Sequence, residues 1–174
     1  MIRNLHFNVD MWNVATRAIH RLARAVGATM GPSGKHVLIH NKSGALIATK
    51  DGVTVAREYE PEDRLEKIFC DLALEAATKT VIAAGDGTTA AIVILDAMIR
   101  GARLHLTQPN MDMPEFLRGF DLGVEQVLVN LRKLAIPCQT LKMLNKVAAI
   151  AANHDLPMAE MVATTVDRVG KSGL

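Results

Sequence analysis

Aromatic side chains are scarce in this chain. One Trp, one Tyr and four Phe make up 3% of its 174 residues. A core of stacked rings is therefore excluded, and the 49% of hydrophobic residues has to pack through Ala, Val, Ile, Leu and Met. Cysteine is also rare. Cys70 and Cys138 fit no metal or redox spacing and supply no disulfide framework, so they read as two small buried hydrophobes in a reducing compartment. Charge of one sign is missing too. The formal net charge is +2 and no block of like charges occurs, which leaves no electrostatic footprint for nucleic acid. No uncharged apolar run approaches the ~18 residues of a membrane span. The opening MIRNLHFNVDMW has neither the continuous apolar stretch nor the small-residue cleavage site of a signal peptide. These absences point to a cytoplasmic protein with no nucleic-acid and no membrane partner.

What is present is helical periodicity. Asp10 reads as an N-cap, and Val14, Ala18, Ile19, Leu22, Ala23 and Val26 follow at helical spacing over about 11–28. Arg17, Arg21 and Arg24 fall outside that stripe. Gly31-Pro32 and Gly34 then break the chain. Two β-rich runs, HVLIH (36–40) and ALIAT (45–49), flank an NKSG turn and predict a small β-hairpin. Asp51-Gly52 turns into a short helical segment ending near 58. Pro61, with Glu62 and Asp63 in an acid-tolerant first turn, opens a long helix to about Ala84. Further helices are predicted from Thr88 to Leu106, from Pro114 to about 134, and over roughly 140–152 and 157–169. The fold class is mainly α with one small hairpin. Several helices are apolar over more than one stripe and need cover on several sides.

One loop stands out between two of these helices: AGDGTTAA, residues 84–91. The first amides of a helix lack intrahelical partners and sit at its positive end, which favours a phosphate. Gly85 and Gly87 permit close backbone approach, and Thr88 and Thr89 offer hydroxyls or a cap. Asp86 conflicts with bare phosphate by charge. The conflict disappears if Mg²⁺ lies between them, because Mg²⁺ is commonly held by one or two carboxylates plus substrate phosphates. On spacing alone, a plain turn with a threonine cap explains GDGTT as well.

Neighbouring readings are less compatible. Residues 29–35 miss a P-loop, which needs Gly at 29 and a hydroxyl at 36 where the chain has Thr29 and His36. A phosphatase motif D-x-D-G-[TV] needs a nucleophilic Asp where Ala84 and Thr49 stand. The six histidines form no metal set, and solvated or hydrogen-bonded roles suit them better.

Taken together, ATMGPSGKHV (28–37), TKDGVTVARE (49–58) and AAGDGTTAA (83–91) resemble, in order and spacing, the N-terminal part of a group I chaperonin of the GroEL type. LAIPC (134–138), VAAIAANHD (147–155) and VDRVGKSG (166–173) extend the resemblance from about residue 14 to the end. It implies that residues 1–134 are the first segment of an equatorial, ATP-binding domain and 135–174 the first arm of an intermediate hinge domain. It implies that Thr29, Met30, Gly31 and Pro32 line the nucleotide. By the same resemblance Gly85, Gly87, Thr88 and Thr89 would hold phosphates, and Asp86 would bind Mg²⁺. The resemblance likewise implies that Lys50 and Thr29 offer backbone oxygens to K⁺, and that Asp51 sits near the attacking water as the catalytic residue.

The implied function is ATP-dependent protein folding. The implied partners are like or full-length subunits in a ring, unfolded polypeptides held by an apical domain, and a co-chaperonin. The sequence departs from the family at Ala90, in place of a third threonine, at Ala151, in place of a serine, and at Lys42-Ser43 in the hairpin turn. The family's returning segment, with a catalytic aspartate and the second half of the pocket, is not among these residues. The resemblance therefore implies the N-terminal portion of a subunit, whether a fragment, a partial gene product or half of a split protein. A non-catalytic interaction or ring-assembly module is the alternative function.

Overall fold

The computed structural model describes residues 9–40, 44–106 and 108–170. The expected turn at Asn41, Lys42 and Ser43, and the closing residues from Lys171, lie outside them. The element order is α1 (Val9–Gly27), β1 (Val37–His40), β2 (Leu46–Thr49), α2 (Gly52–Glu58), α3 (Arg64–Ala84), α4 (Thr88–Leu106), α5 (Met113–Leu134), α6 (Leu141–Ala151) and α7 (Leu156–Val169). The mainly helical fold with one antiparallel hairpin is as expected. β1 and β2 pair in the register Val37↔Thr49 to His40↔Leu46.

Two boundaries differ from expectation. α1 begins at Val9, so Asp10 lies inside the helix. α3 begins at Arg64, three residues after Pro61. Asp63 caps it instead, its carboxylate accepting the backbone N–H of Leu65 at 2.8 Å. A carboxylate that satisfies an orphan amide decides the helix start more strongly than a proline with a suitable φ.

By contacts the chain falls into two compact units, Met1–Pro114 and Glu115–Leu174. In the first, α1 is the central helix. Its Ala18, Ile19, Leu22, Ala23 and Val26 are buried against Val55 and Ala56 of α2, Cys70, Ala73 and Ala77 of α3, and Ile92 of α4. Small residues on α3 allow close approach. Leu22, fully buried, contributes about 1.5–3 kcal/mol by leaving water.

The buried stripe of α3 starts on a charge: Glu66, Cys70, Ala73 and Ala77 share one face. Glu66 is neutralised from α1. Arg17 Nε donates to Oε1 of Glu66, and Arg21 donates to Oε2 at 3.2 Å. On α4 the stripe Thr88, Ile92, Asp96 ends on Asp96. That carboxylate meets Nδ1 of His20 at 3.2 Å and accepts from Arg100 at 3.1 Å. The basic residues outside the apolar stripe of α1 thus cover buried carboxylates of α3 and α4.

In the second unit, α6 and α7 pack through Ala148, Ala159 and Ala163. Thr140 caps α6 and Asp155 caps α7. No side chain of α5 is buried. Cys70 is buried, as expected, but Cys138 is exposed. It lies in the segment after α5, where no residue from 135 to 140 is covered. Among the described residues, no helix is long and apolar enough to cross a membrane.

Candidate functional site

Three helix ends build the site. α1 runs out into a tight loop, where Thr29 N–H donates to Val26 O at 3.1 Å and Met30 N–H to Gly27 O at 3.1 Å. The hydroxyl of Thr29 donates to the same Val26 carbonyl at 2.7 Å. The loop closes on itself as Lys35 N–H reaches Ala28 O at 2.8 Å. Gly31 takes φ +78°, a left-handed conformation that suits glycine. Gly34 is needed for space, since a Cβ there would lie 2.1 Å from the carbonyl oxygen of Thr29. Met30, Gly31 and Pro32 are exposed.

α2 starts under Asp51. The carboxylate accepts Val53 N–H at 3.2 Å, Thr54 N–H at 3.0 Å and the Thr54 hydroxyl at 2.6 Å. Partial burial pushes its pKa up, but these hydrogen bonds and the charge of Arg57 outweigh burial and leave it below the ordinary carboxylate value. Asp51 is therefore ionised at neutral pH. Its own N–H donates to the Thr49 hydroxyl at 3.0 Å, which ties the start of α2 to the end of β2. Lys50, between them, is exposed.

α4 starts at Thr88, directly after the GDG turn. Gly85 ends α3 in the left-handed region at φ +80°, and Gly87 follows at φ +106°. Asp86 is exposed between them. Its Oδ1 accepts the Gly87 N–H at 2.6 Å. Thr88 is buried, and its hydroxyl has no hydrogen-bond partner among the described residues. A buried hydroxyl without a partner costs about 1–3 kcal/mol, so its retention at a helix start calls for an explanation.

These three ends converge. A Cβ on Gly52 would lie 2.0 Å from the Thr89 hydroxyl and 3.2 Å from that of Thr29. The turns carrying Thr29, Asp51 and Thr88-Thr89 thus meet at one place. Among the described residues no three His, Cys, Asp or Glu side chains form a metal-binding group. A divalent ion at Asp86 would need its remaining ligands from phosphate and water, which is how Mg²⁺ is usually held. The residues present fit a Mg²⁺-phosphate group: one exposed carboxylate, a glycine-flanked helix start and an orphaned hydroxyl.

Sequence reading placed Gly34 and Gly52 only as turn residues and missed Thr54. Thr54 had a signal, because it stands three residues after the capping Asp51. The steric role of Gly52 and Gly34 had none, because both are required by close approach and not by a left-handed φ.

Residues 22–172 match the model of the TCP-1/cpn60 chaperonin family. The chain belongs to that family. Among solved structures it is similar to the chaperonin gp146 of bacteriophage EL (of Pseudomonas aeruginosa), crystallised in the presence of ATP-BeFx. In one crystal form the identity is 30% and the TM-score 0.71, covering 90% of this chain and 27% of that one. In the other the identity is 29% and the TM-score 0.73, covering 94% and 29%. A group III chaperonin in the open state shares the fold at 22% identity and TM-score 0.75, covering 94% and 32%. The chain spans about a third or less of the length of these chaperonins.

Proposed function

We propose that this chain is the N-terminal nucleotide-binding part of an ATP-dependent chaperonin subunit of group I type, acting in protein folding. Residues 1–134 belong to the equatorial domain and 135–174 to the intermediate domain. The observation that carries the nucleotide assignment is the buried, unpartnered hydroxyl of Thr88 at the start of α4, beside the junction of Gly52, Thr29 and Thr89. The ATP-BeFx used with the phage chaperonin supports it.

In this reading Thr88 and Thr89 donate hydroxyls to phosphate oxygens. Gly85 and Gly87 keep the approach open, and Thr29, Met30, Gly31 and Pro32 line the opposite wall. Asp86 and phosphate oxygens hold Mg²⁺, which supplies neutralisation of phosphate charge. Backbone oxygens of Thr29 and Lys50 suit K⁺. Asp51, held ionised by its hydrogen bonds, accepts a hydrogen bond from the attacking water and orients it. The returning segment of the subunit completes the pocket, and hydrolysis depends on it. Neighbouring subunits in a ring, unfolded polypeptides and a co-chaperonin are the partners this function requires.

Thermal unfolding with and without Mg-ATP tests the reading. A ligand at a hundred times its Kd stabilises by about 2.7 kcal/mol. An unmoved midpoint up to millimolar Mg-ATP, or an unchanged response in Asp86→Ala, refutes it.

A second reading is a non-catalytic interaction or ring-assembly module. The uncovered α5, with Leu122, Val127 and Leu131 exposed, favours it. Size-exclusion of the chain with full-length subunits discriminates: co-elution without any Mg-ATP response supports this second reading.

A further inference from the structure

Gly85 and Gly87 are glycines because the backbone is left-handed there. Gly52 is not. It opens α2, is buried, and lies outside the residues with positive φ. Its backbone therefore tolerates any side chain, and only space forbids one. A Cβ at 52 would lie 2.0 Å from Oγ1 of Thr89, 3.1 Å from Cγ1 of Val26 and 3.2 Å from Oγ1 of Thr29. Optimal contacts between non-bonded carbon atoms lie near 3.5–4.0 Å, so the first distance demands a displacement and the other two a small adjustment.

Each segment meeting at Gly52 carries a different part of the candidate site. Thr29 opens the loop after α1. Asp51 precedes Gly52. Thr89 follows Asp86 and Thr88. The bonds that fix Asp51 run to Val53 and Thr54 within its own turn. The hydroxyl bond that fixes Thr29 runs back to α1. Neither of these crosses from α2 to α4. The packing of Gly52 against Thr89 does.

We propose that Gly52 is a positioning residue that sets the N-terminus of α2 against the N-terminus of α4. The Asp51 carboxylate and the Asp86–Thr89 turn then reach one Mg-nucleotide together. The proposal rests on the nucleotide reading above and deepens it. Gly52 touches no ligand and acts through Thr89. In catalysis a misplacement of about 1 Å in such a constellation can cost on the order of 100-fold in rate.

A double-mutant cycle in the intact protein tests this: wild type, Gly52→Ala, Thr89→Ala and the double variant. Thr89→Ala removes the atom that the new Cβ would strike. In nucleotide-free thermal melts, Gly52→Ala is expected to lower the midpoint by about 5 °C, and by far less in the Thr89→Ala background. With Mg-ATP, Gly52→Ala is expected to lose at least about tenfold in apparent affinity, while the double variant binds as Thr89→Ala does. If Gly52→Ala does not fold alone, folding of the double variant still identifies Thr89 as the obstacle.

Equal effects of Gly52→Ala in both backgrounds overturn the proposed contact. A Gly52→Ala protein that melts early yet binds Mg-ATP like wild type overturns the positioning role alone. A coupled cycle in a wild type that ignores Mg-ATP overturns the nucleotide reading and the positioning role with it, leaving only a packing contact.

Discussion

The hydroxyl of Thr54 donates to Oδ2 of Asp51 at 2.6 Å, and two backbone amides bond the same carboxylate. Asp51 is at once the cap of α2 and the residue proposed to orient water, and its two roles separate by substitution. Asp51→Ala removes the cap and is expected to cost about 1 kcal/mol at pH 7. Asp51→Asn keeps one capping oxygen, so it is expected to cost less than Asp51→Ala, yet it loses the charge that the hydrolytic role needs. The folded-state pKa is depressed, so the charge-dependent stabilisation is complete above the unfolded value of about 3.9. It is lost as pH falls through the folded value. Urea titrations between pH 7 and pH 3 check this: the gap between wild type and Asp51→Ala should narrow toward acid. A gap constant with pH would assign the effect to something other than the carboxylate.

Thr88 makes a prediction with opposite signs for the free and the bound protein. Its buried hydroxyl lacks a partner, and replacing an unsatisfied polar group by an apolar one of the same shape is neutral or favourable. Thr88→Val is expected to leave the nucleotide-free melting point unchanged or raised. It should also shrink the upward shift produced by Mg-ATP. A destabilised free Thr88→Val protein would mean that the hydroxyl has a partner within the chain.

Glu66 is buried, whereas Arg17 and Arg21 are about half exposed. The arginines can turn to water when the carboxylate is lost, but the carboxylate cannot follow them. Each arginine therefore backs up the other. Arg17→Ala and Arg21→Ala are each expected to cost little, since the other arginine still faces Glu66. The double variant should cost about 3 kcal/mol or more, because it strands a buried charge. Denaturant midpoints of the four proteins measure the excess over additivity. Additive effects would show that another group compensates Glu66.

Much of the fold was legible because punctuation and periodicity agreed. The span of α4 follows from a GDG break before Thr88 and an apolar pattern running to Leu106. The start of α2 after the Asp51-Gly52 turn follows the same local logic, although its cap by Asp51 and that of α6 by Thr140 emerge only in the structure. Competition between local signals moved the start of α3: Pro61 has the right φ, but Asp63 bonds an amide. The glycines and hydroxyls of the candidate site were visible as residue types. Their convergence was not, because it depends on the packing of α1, α2 and α4, which brings residues 29, 52 and 89 together. Arg17 and Arg21 could be placed only outside the apolar stripe for the same reason: their partner, Glu66, is 45 residues or more away.

The two cysteines give a chemical test of the packing. Burial, followed by the charges of Glu66 and Asp71, pushes the Cys70 thiol up to about 11, and its Sγ–H points to the carbonyl of Ala18 at 3.8 Å. Cys138 is exposed. Because the thiolate is the reactive form, Cys138 should be modified by a thiol reagent at pH 8 within minutes, and Cys70 only on unfolding. Raising the pH has a defined sign. The neutral thiol is favoured in the fold, so its stabilisation is full below the ordinary thiol value of about 8.5. It is lost as pH climbs toward 11. Mass spectrometry after timed labelling counts the modified thiols, and Cys70→Ala isolates the pH term in urea melts. Rapid labelling of both thiols in the native protein would mean that α1 and α3 do not pack as described.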